Sequence, residues 1–193
     1  MNFKKYIKSF LSAIRSVYKT IANISYSEPN NRLSGKNIII TGGGRGLGAA
    51  IAEKFVKEGA HVLIAGRNEE NLQMTSSRIG CQYLTLDVTD IDSFKMFIEK
   101  AESKIGQINA LVNNAGISLH EPTFFDVTTE TFDKQITVNM KGGYFLTQKM
   151  IKKWTDSNIK GDILFISSET GDMMDFRPYG FTKVAVNSIW CKA

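Results

Sequence analysis

Residues 38–48 read IIITGGGRGLG, an unbroken apolar run that ends in a cluster of glycines. Residues 49–55 follow as AAIAEKF, which has the spacing of a helix. A strand, a tight turn and a helix therefore succeed one another. Glycines let the backbone turn sharply and approach a ligand closely because they carry no Cβ atom. The start of the helix adds free N–H groups and the positive end of its dipole, so this stretch predicts a binding site for a diphosphate.

Apolar runs and helical patterns alternate from residue 36 onward. The apolar runs are continuous, which is typical of strands covered on both faces of a sheet. Alternation of this kind implies right-handed crossovers and an α/β fold with a doubly wound parallel sheet. Thr89 and Asp92 have the spacing of a capping box before the third helix. We predict strands at 37–41, 61–65, 82–86, 108–113 and 162–167, and helices at 47–58, 69–79, 91–104, 130–154 and from 179 to the end.

The composition is that of an ordinary soluble globular protein. The chain has 193 residues, of which 42% are hydrophobic and 22% are charged, and this predicts one domain with a full core. Cys81 and Cys191 are far apart in the chain, so they indicate neither a disulfide framework nor a metal site. Such sparse cysteine usage favours a reducing, cytoplasmic location.

The first 24 residues differ from the rest of the chain. Their basic side chains, with no acidic one among them, account for the whole net charge of +5. Their apolar side chains share an arc of about 140° beside the basic arc, which predicts an amphipathic helix. The apolar stretches are shorter than the ~20 residues of a transmembrane span, and shorter than the ~7–15 residues of a signal-peptide core.

Two interpretations of this amphipathic helix stay open. It contacts an anionic membrane surface peripherally, or it packs its apolar stripe against its own domain or a partner.

Residues 25–34 read as a linker, so we divide the chain into a basic helix with its linker, 1–34, and a main domain, 35–193. Because the excess basic charge belongs to the first segment, it does not indicate binding of nucleic acid.

The residues after the second predicted strand indicate which dinucleotide the glycine turn would bind. The turn fits the fingerprint G-x-G-x-x-A, and NAD-binding chains place an acidic residue about 20 positions later. Here Gly66 occupies that position and Arg67 follows it. An acid would repel a 2′-phosphate, whereas an arginine binds it with two parallel hydrogen bonds. Arg45 adds a second positive charge in the glycine turn, so the sequence favours NADP(H) over NAD(H).

Tyr179 and Lys183 are spaced i, i+4, which puts both side chains on one face of a helix. A free tyrosine has a pKa near ~10, and a neighbouring ammonium group favours the phenolate. Tyr179 would then give a proton to a carbonyl oxygen or take one from an alcohol. Ser168, at the end of the fifth predicted strand, can bond the same substrate oxygen.

Three motifs together indicate a family. The glycine turn reads Thr-Gly-x-x-x-Gly-x-Gly at residues 41–48, the fourth strand ends in Asn-Asn-Ala-Gly at residues 113–116, and Tyr179-x-x-x-Lys183 follows Ser168. Over residues 35–193 the chain resembles the short-chain dehydrogenase/reductase family, whose members have a Rossmann-like, three-layer α/β/α fold. The resemblance implies an oxidoreductase that transfers hydride between NADP(H) and a small carbonyl or alcohol substrate.

The resemblance also implies roles for individual residues. Ser168 corresponds to the serine that orients the substrate, Tyr179 to the acid/base, and Lys183 to the lysine that activates the tyrosine and binds the ribose. Asn139 resembles the asparagine that holds a proton-relay water, and Asp87 resembles the residue that bonds the adenine amino group. The implied cofactor-binding residues are Thr41, Gly42, Gly44, Arg45, Gly46, Leu47, Gly48, Arg67, Asp87, Val88, Asn114, Ala115, Gly116, Tyr179 and Lys183.

The resemblance leaves the substrate open. Residues 117–127 would line one side of the substrate site, and their mixed character does not choose between a sugar, an acyl thioester, a steroid and a small ketone. 3-Oxoacyl reductases and sugar or alcohol dehydrogenases are both similar in type. The loop between Ser168 and Tyr179 is shorter than in relatives, which leaves Ser167 as an alternative to Ser168.

The chain stops inside the last predicted helix, so we expect a C-terminal truncation. This expectation motivates an alternative function, a non-catalytic NADP(H)-binding or scaffold protein. Members of the family commonly pair through two long helices, which here are residues 130–154 and the helix that begins at Tyr179. A homo-oligomer is therefore expected for a full-length protein.

Overall fold

The computed structural model describes residues 31–189. The amphipathic helix that we predict at residues 1–24 lies outside this range, so the division at residue 34 stays a prediction. Within the described range, no helix combines the length and the apolar character needed to cross a membrane.

Five strands alternate with six α-helices over this range. Short 3-10 turns lie at Ile91–Ser93, Phe124–Asp126 and Glu169–Gly171, and a π-helical turn lies at Thr137–Gly142. In chain order the elements are β1 (Asn37–Thr41), α1 (Gly46–Lys57), β2 (His61–Gly66), α2 (Glu69–Ile79), β3 (Gln82–Thr85), α3 (Phe94–Ile105), β4 (Ala110–Asn113), α4 (Thr129–Ile136), α5 (Gly143–Asp156), β5 (Asp162–Phe165) and α6 (Pro178–Asn187).

The strands form one parallel sheet in the order β3-β2-β1-β4-β5. Ile39 of β1 pairs with Leu63 of β2 on one side and with Leu111 of β4 on the other. The chain reverses its direction of winding between β1 and β4, and ligands of such sheets bind in the crevice beyond this point. The order confirms the doubly wound parallel sheet.

A separate hydrophobic core covers each face of the sheet. On one face, Ile39 and Leu63 pack with apolar residues of α3 and α5, among them Phe94 and Leu146. On the other face, the alternate strand residues pack with Ala52 of α1 and with Leu72 of α2, and these strand residues are Ile38, Ile40, Val62 and Ile64. Both faces of the central strands are therefore buried, which explains why the strands read as continuous apolar runs.

The helix that we predict at 130–154 is interrupted. The chain runs through α4, a π-helical turn at Thr137–Gly142, and α5 without leaving the helical path. Such π turns insert an extra residue into an α-helix and are frequent at functional sites.

Other boundaries differ from the predictions by a few residues. The strands β4 and β5 are shorter, and α6 ends at Asn187 instead of continuing to the end of the chain. The capping box predicted for Thr89 and Asp92 is wrong. The amide and the hydroxyl of Thr89 instead donate to the Asp87 carboxylate, at 2.9 Å and 2.8 Å, so Thr89 closes a turn after β3.

Gly142 brings the π-helical turn against the segment that follows β3. A Cβ atom at this position would overlap the carbonyl oxygen of Val88, and it would lie 2.9 Å from the Val88 Cβ. A backbone carbonyl cannot rotate away as the end of a flexible side chain can. The close approach of these two segments therefore requires glycine here.

We expect Gly142→Ala to lower the free energy of unfolding by about 1–3 kcal/mol, because the added methyl group forces the backbone apart. The measurement is chemical denaturation followed by circular dichroism. Lys141→Ala is the matched control, since this exposed neighbour is in the same turn. The control should stay within about 0.5 kcal/mol of the wild type. Equal unfolding midpoints for the two variants would contradict the proposed contact.

Candidate functional site

A cleft of about 570 Å³ opens at the carboxyl ends of the central strands. The glycine turn forms one wall, and the segments that follow β2, β3 and β4 form the others. Thr41, Tyr179 and Lys183 are not among the residues that line it. The other residues with an implied cofactor role do line it, and they are Gly42, Gly44, Arg45, Gly46, Leu47, Gly48, Arg67, Asp87, Val88, Asn114, Ala115 and Gly116.

The glycine turn is shaped for close approach of a ligand. Gly42 and Gly46 have φ angles of +68° and +58°, which residues with a Cβ rarely adopt. A Cβ atom at Gly48 would overlap the carbonyl oxygen of Gly42. Helix α1 begins at Gly46 without a side-chain cap and without an acidic residue in its first turn. Its free N–H groups therefore suit an anionic ligand such as a diphosphate.

Thr41 connects the glycine turn to the segment after β4. Its buried hydroxyl oxygen accepts hydrogen bonds from the amides of Asn114 and Ala115, both at 3.1 Å. The side-chain amide of Asn114 in turn donates to the carbonyl oxygens of Thr41 and Gly42, at 3.0 Å and 3.1 Å. Thr41 thus shapes the cleft by fixing two of its walls and is not itself part of its lining.

One end of the cleft is positively charged. Arg45 and Arg67 are both exposed and both line it, and neither has an ion pair with another residue of the range 31–189. Gly66, at the position of the ribose-binding acid, also lies in the lining. The structure therefore offers an anion two free guanidinium groups at this end.

Asp87 contributes a carboxylate to the same cleft. Partial burial raises the pKa of Asp87, but hydrogen bonds from the amide and hydroxyl of Thr89 and the positive charge of Arg67 outweigh it. The net effect is a pKa below the ordinary value, so Asp87 is ionised and can accept hydrogen bonds at neutral pH.

Tyr179 and Lys183 meet on helix α6, which begins at Pro178. The Lys183 ammonium group lies 5.4 Å from the centre of the Tyr179 ring. Lys183 is buried, with 5% of its surface exposed, and it donates to the carbonyl oxygen of Ile166 at 2.8 Å. Burial lowers the pKa of Lys183 below its ordinary value, because the charged form loses its hydration.

The structure distinguishes the two serines that follow β5. The hydroxyl of Ser167 donates to the side-chain oxygen of Asn187, so its proton is engaged within the fold. The hydroxyl oxygen of Ser168 accepts from the amide and the hydroxyl of Thr170, at 3.3 Å and 3.1 Å. As the acceptor in both bonds, Ser168 keeps its own proton for a further acceptor.

Asn139 lies in the π-helical turn and joins two parts of the site. Its side-chain oxygen accepts from the Ile117 amide at 2.7 Å. Its side-chain amide donates to the Ile117 carbonyl at 2.8 Å and to the Thr182 hydroxyl at 3.2 Å. Asn139 therefore holds the segment after β4 against α6.

Several residues of the site are not predicted by the sequence motifs. Asn68 and Asn71 line the cleft, and the Asn68 side chain accepts from the Asn71 amide at 2.7 Å as the cap of α2. The position of an asparagine directly before a helical pattern is a capping signal that could have revealed Asn68. Buried Thr75 donates to the carbonyl of Gly44 at 2.8 Å and supports the glycine turn. No sequence signal indicates Thr75 or the contact of Thr182 with Asn139.

No group of three potential metal ligands occurs in the part of the chain that the structure describes. The described residues bring together a cleft that suits an anion, a tyrosine beside a buried lysine, and a serine whose hydroxyl oxygen accepts two hydrogen bonds.

Comparisons with known proteins show which family the chain resembles in sequence and fold. The sequence model of the short chain dehydrogenases matches residues 36–192. The L-rhamnose 1-dehydrogenase (NADP(+)) of Thermoplasma acidophilum is 37% identical over 161 residues, which are 79% of this chain and 63% of that protein. The NADP-dependent (R)-specific alcohol dehydrogenase of Lentilactobacillus kefiri is 34% identical over 149 residues, which are 75% of this chain and 59% of that protein.

A solved structure shows the same fold. A short chain dehydrogenase from Bacillus anthracis is 29% identical to this chain and superposes with a TM-score of 0.74 over 78% of this chain and 65% of its own. The chain thus spans about three fifths of the length of the relatives it matches. It belongs to the short-chain dehydrogenase family of Rossmann-fold oxidoreductases.

Proposed function

We propose that this protein is an NADP(H)-dependent oxidoreductase that interconverts a carbonyl compound and an alcohol. The observation that carries the proposal is the pairing of Tyr179 with the buried Lys183, 5.4 Å from its ring, in a fold whose cleft suits a dinucleotide. A cleft alone would support binding only, whereas the tyrosine–lysine pair supplies a group for proton transfer.

The glycine turn would hold the diphosphate of the cofactor. Its residues line the cleft, and the uncapped start of α1 supplies N–H groups for phosphate oxygens. Asp87 would accept a hydrogen bond from the adenine amino group, since its lowered pKa keeps it ionised. Lys183 would donate to the ribose with one of the protons that it does not give to Ile166.

The preference for NADP(H) would come from Arg45 and Arg67. A 2′-phosphate brings negative charge to the end of the cleft where these two exposed guanidinium groups lie. Both matched relatives described above are named as NADP-dependent enzymes, which supports the same choice. At the position where an acidic side chain would repel the phosphate, this chain has Gly66.

The bound cofactor would supply or accept the hydride at the substrate carbon. Tyr179 would exchange the proton with the substrate oxygen, and the ammonium of Lys183 would stabilise the phenolate that forms. The Ser168 hydroxyl would donate to the same oxygen, since its proton is free. Asn139 would hold this arrangement together through Ile117 and Thr182 and would bind the relay water that the family resemblance implies.

The proposed function covers two substrate classes, which are sugars or simple alcohols and 3-oxoacyl thioesters. The names of the matched relatives favour a sugar or an alcohol.

We also propose that the protein forms a homo-oligomer through α4, α5 and α6, because these helices expose apolar side chains at Phe132, Tyr144, Phe181 and Val184. The same proposal includes a cytoplasmic location, and for residues 1–24 it keeps both interpretations, peripheral contact with a membrane and packing against this domain or a partner.

Replacement of Arg67 by glutamine tests the cofactor preference. We expect NADPH to bind about 10- to 100-fold more weakly, because a charge-assisted hydrogen bond is worth about 1.5–3 kcal/mol. NADH should bind as it does to the wild type, since it has no 2′-phosphate. The measurement is fluorescence titration with each nucleotide. Arg78→Gln is the control, because Arg78 pairs with Glu53 at 2.7 Å outside the cleft. An equal loss for both nucleotides would remove Arg67 from the phosphate site.

Replacement of Tyr179 by phenylalanine tests the proton-transfer step. We expect the rate of NADPH oxidation to fall by about 10²- to 10⁴-fold over a panel of sugars, ketones and 3-oxoacyl thioesters, because the group that exchanges the proton is lost. Tyr144→Phe is the control, because Tyr144 is half-exposed on α5. Equal turnover by Tyr179→Phe and the wild type would refute the acid/base role. NADPH binding without turnover of any compound would favour a non-catalytic binding protein.

A further inference from the structure

One asparagine of α6 contacts both sides of the turn that carries Ser168. The side-chain nitrogen of Asn187, Nδ2, donates to the carboxylate of Asp172 at 3.3 Å, and its oxygen, Oδ1, accepts from the Ser167 hydroxyl at 2.5 Å. Ser167 directly precedes Ser168, and Asp172 directly follows the 3-10 turn at Glu169–Gly171. A single side chain therefore joins the start of this short segment to its end.

The two partners of Asn187 fix which end of its amide faces each of them. A carboxylate only accepts hydrogen bonds, so the amide nitrogen has to face Asp172. The amide oxygen then faces Ser167, and the Ser167 hydroxyl has to donate. The proton of Ser167 is thereby engaged, whereas the Ser168 hydroxyl oxygen is the acceptor in its bond with Thr170 at 3.1 Å. Asn187 therefore gives the two adjacent serines different roles.

Gly171 brings the same turn against the backbone of α6. A Cβ atom at this position would lie 2.6 Å from the side-chain nitrogen of Asn187 and 3.1 Å from the carbonyl oxygen of Lys183. The Gly171 amide donates to the carbonyl oxygen of Ser168 at 3.0 Å, which closes the turn. Because a residue with a side chain could not come so close, the turn and the helix are in direct contact beside Asn187.

The place of Asn187 on α6 connects this contact to the tyrosine–lysine pair. Tyr179, Lys183 and Asn187 follow one another at intervals of four residues, so their side chains share one face of the helix. Lys183 donates to the carbonyl oxygen of Ile166 at 2.8 Å, and one helical turn later Asn187 accepts from Ser167. Successive residues after β5 are thus bonded to successive turns of α6.

We propose that Asn187 is a positioning residue, which holds the turn of Ser168 in a fixed place relative to Tyr179 and Lys183. Asn187 does not line the cofactor cleft, so it would act through Ser168. A hydroxyl group that donates to a substrate oxygen stabilises developing charge best when its direction is fixed before the reaction. The contact itself stands on the structure alone, and its value for turnover rests on the proposed function.

Amide hydrogen exchange, followed by NMR, tests the contact without any turnover. We expect the amides of Thr170, Gly171 and Asp172 to exchange about 10-fold faster in Asn187→Ala than in the wild type, because the turn loses both hydrogen bonds to α6. Ser188→Ala is the matched control, since Ser188 is the exposed neighbour and donates within its own helix at 3.1 Å. Equal exchange of the turn in Asn187→Ala and the wild type would overturn the proposal.

A double-mutant cycle tests whether Asn187 acts through Ser168. We expect Asn187→Ala to lower kcat about 10-fold, and Ser167→Ala, which removes one of the two bonds, to lower it less. NADPH affinity and the unfolding midpoint should stay close to those of the wild type, because Asn187 is exposed and outside the cleft. In a Ser168→Ala background, Asn187→Ala should have no further effect on kcat.

An equal loss of kcat in both backgrounds would indicate a general structural effect and would overturn the positioning role of Asn187. A wild type that turns over no carbonyl compound would instead refute the proposed function. Faster exchange of the turn in Asn187→Ala would in that case still support the contact, so the two failures are distinguishable.

Discussion

The site depends on the close contact between the glycine turn and the segment that follows β4. A single buried hydroxyl, that of Thr41, accepts two amides of that segment, and the Asn114 side chain returns two hydrogen bonds to the turn. Gly48 has to be a glycine, because the carbonyl oxygen of Gly42 occupies the space that a Cβ atom would need. These contacts place the start of α1 at the carboxyl ends of the central strands, and the shape of the cleft depends on them.

The other half of the site is assembled by the long helical path from α4 to α5 and by α6. The π-helical turn brings Asn139 between Ile117 and Thr182, so that one side chain fixes the segment after β4 relative to the helix that carries Tyr179. Gly142, three residues later, lets the same turn approach Val88 in the cleft wall. The cleft and the Tyr179–Lys183 pair are thus joined through a few buried contacts, which gives a physical reason for the insertion in the helix.

The two halves of the site use charge in opposite ways. In the cleft, Arg45 and Arg67 are exposed, so pairing with the anion that we propose would carry little desolvation cost. Beside Tyr179 the charge of Lys183 is buried, and its stabilisation has to come from fixed dipoles such as the carbonyl of Ile166. A buried ammonium held by dipoles is pre-oriented, as the proton transfer that we propose for Tyr179 would require.

The sequence by itself determined the order of strands and helices, the parallel sheet and the glycine turn, because these follow from local patterns of apolar residues and from glycine spacing. It also determined that Tyr179 and Lys183 share a helix face, since that spacing is local. Only the tertiary structure decided that Thr41 ties the cleft walls, that Ser168 and not Ser167 keeps a free proton, and that Lys183 bonds to Ile166. The physical reason is that such contacts join segments far apart in the chain, and their partners are chosen by packing, which a local pattern does not encode.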